Sequence, residues 1–125
     1  MYGNNGRALW LIHNYHSLLG LQYIKVENYD LAEQVLLKAE KLAYLATDGE
    51  VYWTFKYLVL LYFLKDENSK SISYLRKLKT IREHNGISTY KIKANIHFDL
   101  EQLNFPNIDQ VKKQFNINIF DKVFN

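Results

Sequence analysis

The chain has 125 residues, 48% of them apolar, with a formal net charge of +3. That length makes one domain and is enough to bury a real core, and the apolar content argues against intrinsic disorder. No cysteine is present, so disulfides, thiolate metal sites and thiol nucleophiles are excluded and a reducing cytoplasm fits.

The first eight residues are polar and small, without the pattern of a secretory leader, and the apolar run after them is broken by His13, Asn14 and His16. A first helix is expected over about 7–26, with Leu11, Tyr15, Leu18, Leu19 and Val26 among its apolar members. Asn28 to Asp30 form a turn, and a second helix follows over about 30–46, with Leu31, Val35, Leu42 and Leu45 on one side. Thr47 stands three residues before Glu50, a capping-box pattern that starts a third helix over about 49–65. This third helix is apolar on most of its faces, as expected for the centre of a bundle. Its most apolar stretch, Trp53 to Leu64, contains Lys56 and is too short to cross a bilayer, so no membrane association is expected.

A polar turn over Asp66 to Asn68 leads to a fourth helix over about 69–84, carrying Ile72, Leu75, Leu78 and Ile81 at three-residue spacing. Asn85-Gly86 is a helix stop, because glycine tolerates the left-handed conformation needed there. Ser88 can cap a fifth helix over about 89–103, although the Lys91-Ile92-Lys93 alternation also suits a strand. A break over Asn104 to Asn107 precedes a last helix over about 107–115. The tail (Ile117, Ile119, Phe120, Val123, Phe124) is too apolar to hang free; it packs back on the domain or meets another chain.

Two segments share one spaced pattern. Leu19, Gly20, Tyr23, Ala32 and Ala39 are matched by Leu58, Val59, Tyr62, Ser71 and Leu78, an offset of 39 residues. In both, a tyrosine precedes a small residue by nine positions. Small residues at those places let two helices of a hairpin approach closely, while the tyrosine fills the groove beside them. The segment 16–39 resembles a tetratricopeptide repeat, whose pattern has a Leu-Gly pair, a tyrosine and two alanines at these spacings. The second unit departs from it at Val59, Ser71 and Leu78. Neither unit has the usual proline, and the offset exceeds the family's 34 residues. His16 and Phe55 stand where a large aromatic residue is usual.

The resemblance implies an all-α fold of antiparallel helix hairpins stacked as a short tetratricopeptide-like solenoid. Its units would be about 8–46 and 49–85, with a C-terminal capping region over about 88–125. The aromatic-rich, degenerate style is similar to that of the C-terminal sensor halves of Gram-positive peptide-pheromone regulators of the Rgg, Rap and PlcR groups. It implies a peptide- or protein-binding module whose first helices line a concave face. Asn14, Ser17, Leu21, Ile24 and Lys25 from the first unit, and Trp53, Lys56, Leu60, Phe63 and Leu64 from the second, hold the matching inner positions. Asn14 would bond a peptide backbone, Trp53 would stack on a side chain and Lys56 would meet a carboxylate. With two units only, Trp53, Leu60 and Phe63 can equally belong to the core. Stacked repeats bury their faces against neighbours and about three are usually needed, so self-association through the apolar tail is expected.

Signs of catalysis are missing. There is no phosphate-binding glycine loop, no nucleophile elbow and no zinc-helix motif, so no enzymatic activity, cofactor or metal is expected. His13 and His16, three apart, could share a helix face as metal ligands sometimes do, yet neither an acidic residue nor a cysteine lies near them; structural roles are favoured. Asp66-Glu67 and Asp99-x-Glu101 are explained by a turn and a solvated face. The rival function is nucleic-acid binding. Lys70, Arg76, Lys77, Lys79, Arg82, Lys91 and Lys93 face Glu83 alone across residues 70–93. Arg76, Lys77, Lys79 and Arg82 are its candidate anion contacts. A small immunity- or antitoxin-type partner protein is a third reading.

Overall fold

The computed structural model describes residues 2–47 and 52–124, with the side chains of 2–7, 46–47 and 82–85 left aside. Every regular element among them is helical: α1 Tyr2–Lys25, α2 Tyr29–Thr47, α3 Tyr52–Leu64, α4 Asn68–Asn85, α5 Thr89–Glu101 and α6 Ile108–Phe115. A π-helical turn, Asn116–Phe120, then runs into a short α7, Asp121–Phe124. The capping box of Thr47 and Glu50 lies outside the described residues.

Local chemistry explains where the chain turns. The amide of Asn28 donates to Tyr23 O at 2.9 Å and that of Glu27 to Ile24 O at 3.0 Å. At the next turn Glu67 donates to Tyr62 O at 2.8 Å and Asp66 to Phe63 O at 3.1 Å. These are the paired bonds of a Schellman helix ending, and the residue that each requires in the left-handed region is Glu27 (φ 62°) or Asp66 (φ 61°). Asn104 (φ 60°) takes the same conformation after α5. Gly86 ends α4 at φ 70°, the conformation that the Asn-Gly pair predicts. Ser88 caps α5 by accepting from the Lys91 amide at 3.1 Å. Residues 89–101 are a helix rather than a strand because Ile92, Ile96 and Leu100 recur every four residues and all three are fully buried.

Packing follows the small-residue spacing seen in the sequence, but not the apolar faces expected of the first two helices. Leu11, Tyr15 and Leu18 of α1, Val26 just after it, and Leu31 and Leu45 of α2 are exposed, because the Gly20, Ala32 and Ala39 side makes the close approach. α1 lies along α2, and α3 along α4; α3 also touches α1, α2 and α5. It is buried almost all round, from Thr54 through Tyr62. A Cβ at Gly20 would overlap Leu36, which is why this position of α1 must be bare for α2 to come so close. Ala32 and Ala39 are fully buried on α2. In the second pair Ser71 is buried too, and its hydroxyl donates to Val59 O at 2.8 Å. The hydroxyl thus serves a site where alanine would leave that carbonyl without this bond.

Two acids on α2 tie it to α3 and α4. Glu33 accepts from the Tyr62 hydroxyl at 2.7 Å and Lys65 at 2.8 Å. Glu40 accepts from the Tyr74 hydroxyl at 2.8 Å and Lys77 at 3.1 Å. The tail packs back on the domain: Phe115, Ile119, Phe120 and Val123 are buried, with the π turn and α7 against α4. Phe115 meets Phe63 edge-on at 5.2 Å.

Candidate functional site

Three helices, α1, α3 and α5, enclose a cleft of about 440 Å³. Leu21 and Lys25 reach it from α1. Trp53, Lys56 and Tyr57 come from α3, and Asn95, Phe98, Asp99 and Gln102 from α5 and the residue after it. Trp53 and Phe98 are more than half exposed, at 52% and 59%. Large aromatic rings left open on either side of a cleft are the usual means of holding an apolar or flat side chain.

The cleft is also charged. Lys56 Nζ lies 3.0 Å from Asp99 Oδ2, and both side chains are nine-tenths buried. Oδ2 accepts no well-aligned hydrogen bond there, so the contact is a bare ion pair. The same ammonium sits 4.8 Å from the Trp53 ring centre and 5.2 Å from that of Tyr57. Lys56 is therefore held by two ring faces and a carboxylate. Burial pushes the Asp99 carboxyl above its ordinary range, against the pull of Lys56 and of the more distant Lys25. Lys25 is exposed at the rim. Tyr52 accepts from Asn95 Nδ2 at 3.0 Å, which fixes that amide.

Of the residues that the sequence points to, Leu21, Lys25, Trp53 and Lys56 meet in this cleft. Lys56 faces Asp99 of the same chain instead of standing free. Leu60 is fully buried and Phe63 packs under Phe115, so these two serve the core. Ser17 is buried: its hydroxyl lies 2.8 Å from Thr54 Oγ1, which is 2.6 Å from His13 Nε2. Asn14 bonds His13 Nδ1 at 3.2 Å. These four form a polar seam between α1 and α3, with the Trp10 ring stacked on His13 at 5.1 Å. Burial lowers the His13 pKa. His16 donates to Ile12 O at 2.8 Å, and no metal-ligand cluster exists among the described residues.

Phe98, Asp99, Asn95 and Gln102 are cleft residues that sequence patterning does not single out. Asp99 is not on a solvated face, as its spacing to Glu101 suggests, but buried and ion-paired. Its position one residue before Leu100 and three after Ile96 marks the edge of the buried stripe of α5, the one available signal.

Among its described side chains, the basic stretch is divided between two sides of α4. Lys77 turns toward α2 and pairs with Glu40, whereas Lys79 reaches the other way to Val123 O at 3.4 Å. Arg76 is exposed. Lys93 lies over the Phe120 ring at 5.2 Å, and Lys70 pairs with Glu67 at 3.1 Å. The Arg82 side chain lies outside the described residues. No helix among the described residues is long and apolar enough to cross a membrane. Compared with known proteins, the chain matches no protein-family model, no curated protein and no solved structure.

Proposed function

We propose that this chain is a non-catalytic peptide- or protein-binding module with a regulatory, sensor-like role in the cytoplasm, built as a short tetratricopeptide-like stack of helix hairpins. The observation that carries the binding role is the cleft of α1, α3 and α5, with Trp53 and Phe98 open on its walls above the buried Lys56–Asp99 pair. Support for the repeat architecture comes from the Schellman endings, whose bonded residues recur at the same offset as the sequence pattern. The ligand segment presents one large apolar or aromatic side chain to the two rings, flanked by groups that bond the Asn95 and Gln102 amides and Lys25. An extended peptide meets these demands, since its main chain supplies the polar groups and one side chain the anchor.

Selection of random displayed peptides on the immobilised chain tests this. Selected sequences should converge on an aromatic or large aliphatic anchor, and Trp53→Ala combined with Phe98→Ala should weaken the best of them about tenfold or more. Failure to converge, or affinity indifferent to both substitutions, would sink the proposal. Native mass spectrometry of protein purified from its host gives an independent view of any bound peptide. Nucleic acid retained only at low salt would instead favour the basic 70–93 stretch, because phosphate contacts weaken steeply with ionic strength. A co-purifying protein that leaves the cleft open would favour an immunity-type partner.

A further inference from the structure

The outer face of α1 is apolar, although it is exposed and no described element covers it. Ala8, Leu11, Tyr15, Leu18 and Gln22 follow one another at alternating spacings of three and four, and all five are exposed. Leu11, Tyr15 and Leu18 are 61%, 62% and 58% exposed, with Ile12 beside them at 45%. That alternation is the seam of a coiled coil, in which the first and fourth residues of each heptad meet a partner helix. It runs for about 21 Å along the axis. On the opposite side of α1, His13, Ser17, Gly20 and Ile24 are buried against the domain. The helix therefore has two stripes suited to packing, one buried and one exposed.

Charge narrows the partner. Between Arg7 and Lys25 no residue of α1 is Asp, Glu, Lys or Arg. A solvated helix face normally carries such residues, as α2 does with Lys38 and Lys41 between its exposed Leu37 and Tyr44. The covering surface must then be an uncharged apolar helix face. A charged face would lose its hydration against the seam without gaining an opposite charge. Among the described helices of this chain, α1 is the one with such a face, and its seam is self-complementary, with Tyr15 near the middle and a leucine on either side. Leu11, Ile12, Tyr15 and Leu18 together offer roughly 400 Å² of apolar area. That is about half of what one partner buries in a stable interface of standard size, the remainder being polar rim.

We infer that α1 pairs with α1 of a second copy, so that the molecule is an isologous dimer closed by this seam. In the C-terminal tail, the expected route to self-association, Ile119, Phe120 and Val123 are buried, with the π turn and α7 against α4, which leaves Ile117 as its one large exposed aliphatic side chain among the described residues. The inference is independent of what the cleft binds.

Sedimentation equilibrium of the full chain should give twice the 14.9 kDa chain mass at micromolar concentration. Leu11→Lys with Leu18→Lys should halve that mass while leaving the helical circular dichroism unchanged, and raised salt should not dissociate the wild type. Because the chain is free of cysteine, Tyr15→Cys places one thiol at the centre of the seam. Oxidation should link it into a covalent dimer, whereas a thiol at exposed Lys113 should remain monomeric. Lys113→Cys is a control for random collision. A wild type monomeric at high micromolar concentration, a dimer that survives the two lysines, or cross-linking no better from residue 15 than from 113 would each overturn the inference.

Discussion

Gly20→Ala sets two opposing effects of known size against each other. Alanine favours a helix interior over glycine by about 1 kcal/mol, so a helix with room at this position would be stabilised. Room is absent. The new Cβ would come well inside 3.0 Å of both Leu36 Cδ2 and Cγ, with Cδ1 at 3.2 Å. Leu36 is fully buried. Its Cγ is tied to the α2 backbone through one bond beyond Cβ, so a flip of the side-chain tip does not clear it and α2 must retreat. Overpacking of a tight core costs about 1–3 kcal/mol, and a clash with a branch point in a closed helix pair belongs at the upper end. The net expectation is a loss of about 2 kcal/mol, the overpacking exceeding the propensity gain. For a chain of this length that lowers Tm by roughly 6–12 °C. Urea unfolding followed by circular dichroism reads the free energy, and the mutant should keep its helical content below the transition. In the double mutant with Leu36→Ala, the new methyl group would occupy part of the cavity. The Gly20→Ala effect should then vanish or reverse relative to Leu36→Ala alone. If Gly20→Ala were as stable as wild type or more so, the close approach of α1 and α2 at Gly20 would be refuted.

Other expectations follow from the buried polar groups. Asp99→Asn leaves the Lys56 ammonium buried without its counter-charge and should lower stability by about 3 kcal/mol, while Lys56→Met with Asp99→Asn should recover most of it; urea midpoints of the three variants decide. His13 is held below its ordinary pKa of 6.5 by burial. The folded state therefore binds fewer protons than the unfolded one, and its contribution declines as pH falls below 6.5. Unfolding free energy measured from pH 7 down to pH 5 should decrease more steeply for wild type than for His13→Gln, and parallel profiles would contradict this. Glu33 is held below the usual carboxylate value of 4.5 by hydrogen bonds from Lys65 and Tyr62. Its stabilisation is full above 4.5 and lost as pH drops through the lowered folded value, so the deficit of Glu33→Gln at pH 7 should shrink by pH 3. Glu27 is a branchless but β-carbon-bearing residue in the left-handed region, and Glu27→Gly should raise Tm through a gain of about 1 kcal/mol; an unchanged or lower Tm would argue against that turn.

Much of the fold was legible in the chain because its signals are local. Apolar spacing in α4, the Asn-Gly stop, the Ser88 cap and the scarcity of proline act over three to five residues, and the structure places helices where they point. In α2 the helix is present, but Leu31 and Leu45 of the expected apolar side are exposed and Ala32, Leu36 and Ala39 are buried instead. The Gly20, Ala32 and Ala39 spacing also foretold close packing, since a missing side chain is visible in sequence before its neighbour is known. The cleft was legible only in part. Trp53, Lys56 and Leu21 stand out by their position in the first helices, but sequence cannot say whether an aromatic residue on an all-apolar helix faces the core or a cleft: Leu60 and Phe63 went to the core, Trp53 did not. Asp99 shows the limit best. A carboxylate two residues from Glu101 looks solvated until α5 is laid against α3, where Lys56, distant in sequence, comes within 3.0 Å. The basic run is the converse, a cluster along the chain that tertiary packing divides between Glu40 on one side of α4 and the tail on the other. The sequence by itself determined helix, turn and cap, whose energies come from neighbours along the chain. Which faces meet, and so which charges are buried and which apolar stripe of α1 is left outside, was decided by contacts between distant segments, because burial and pairing depend on what the rest of the fold brings near.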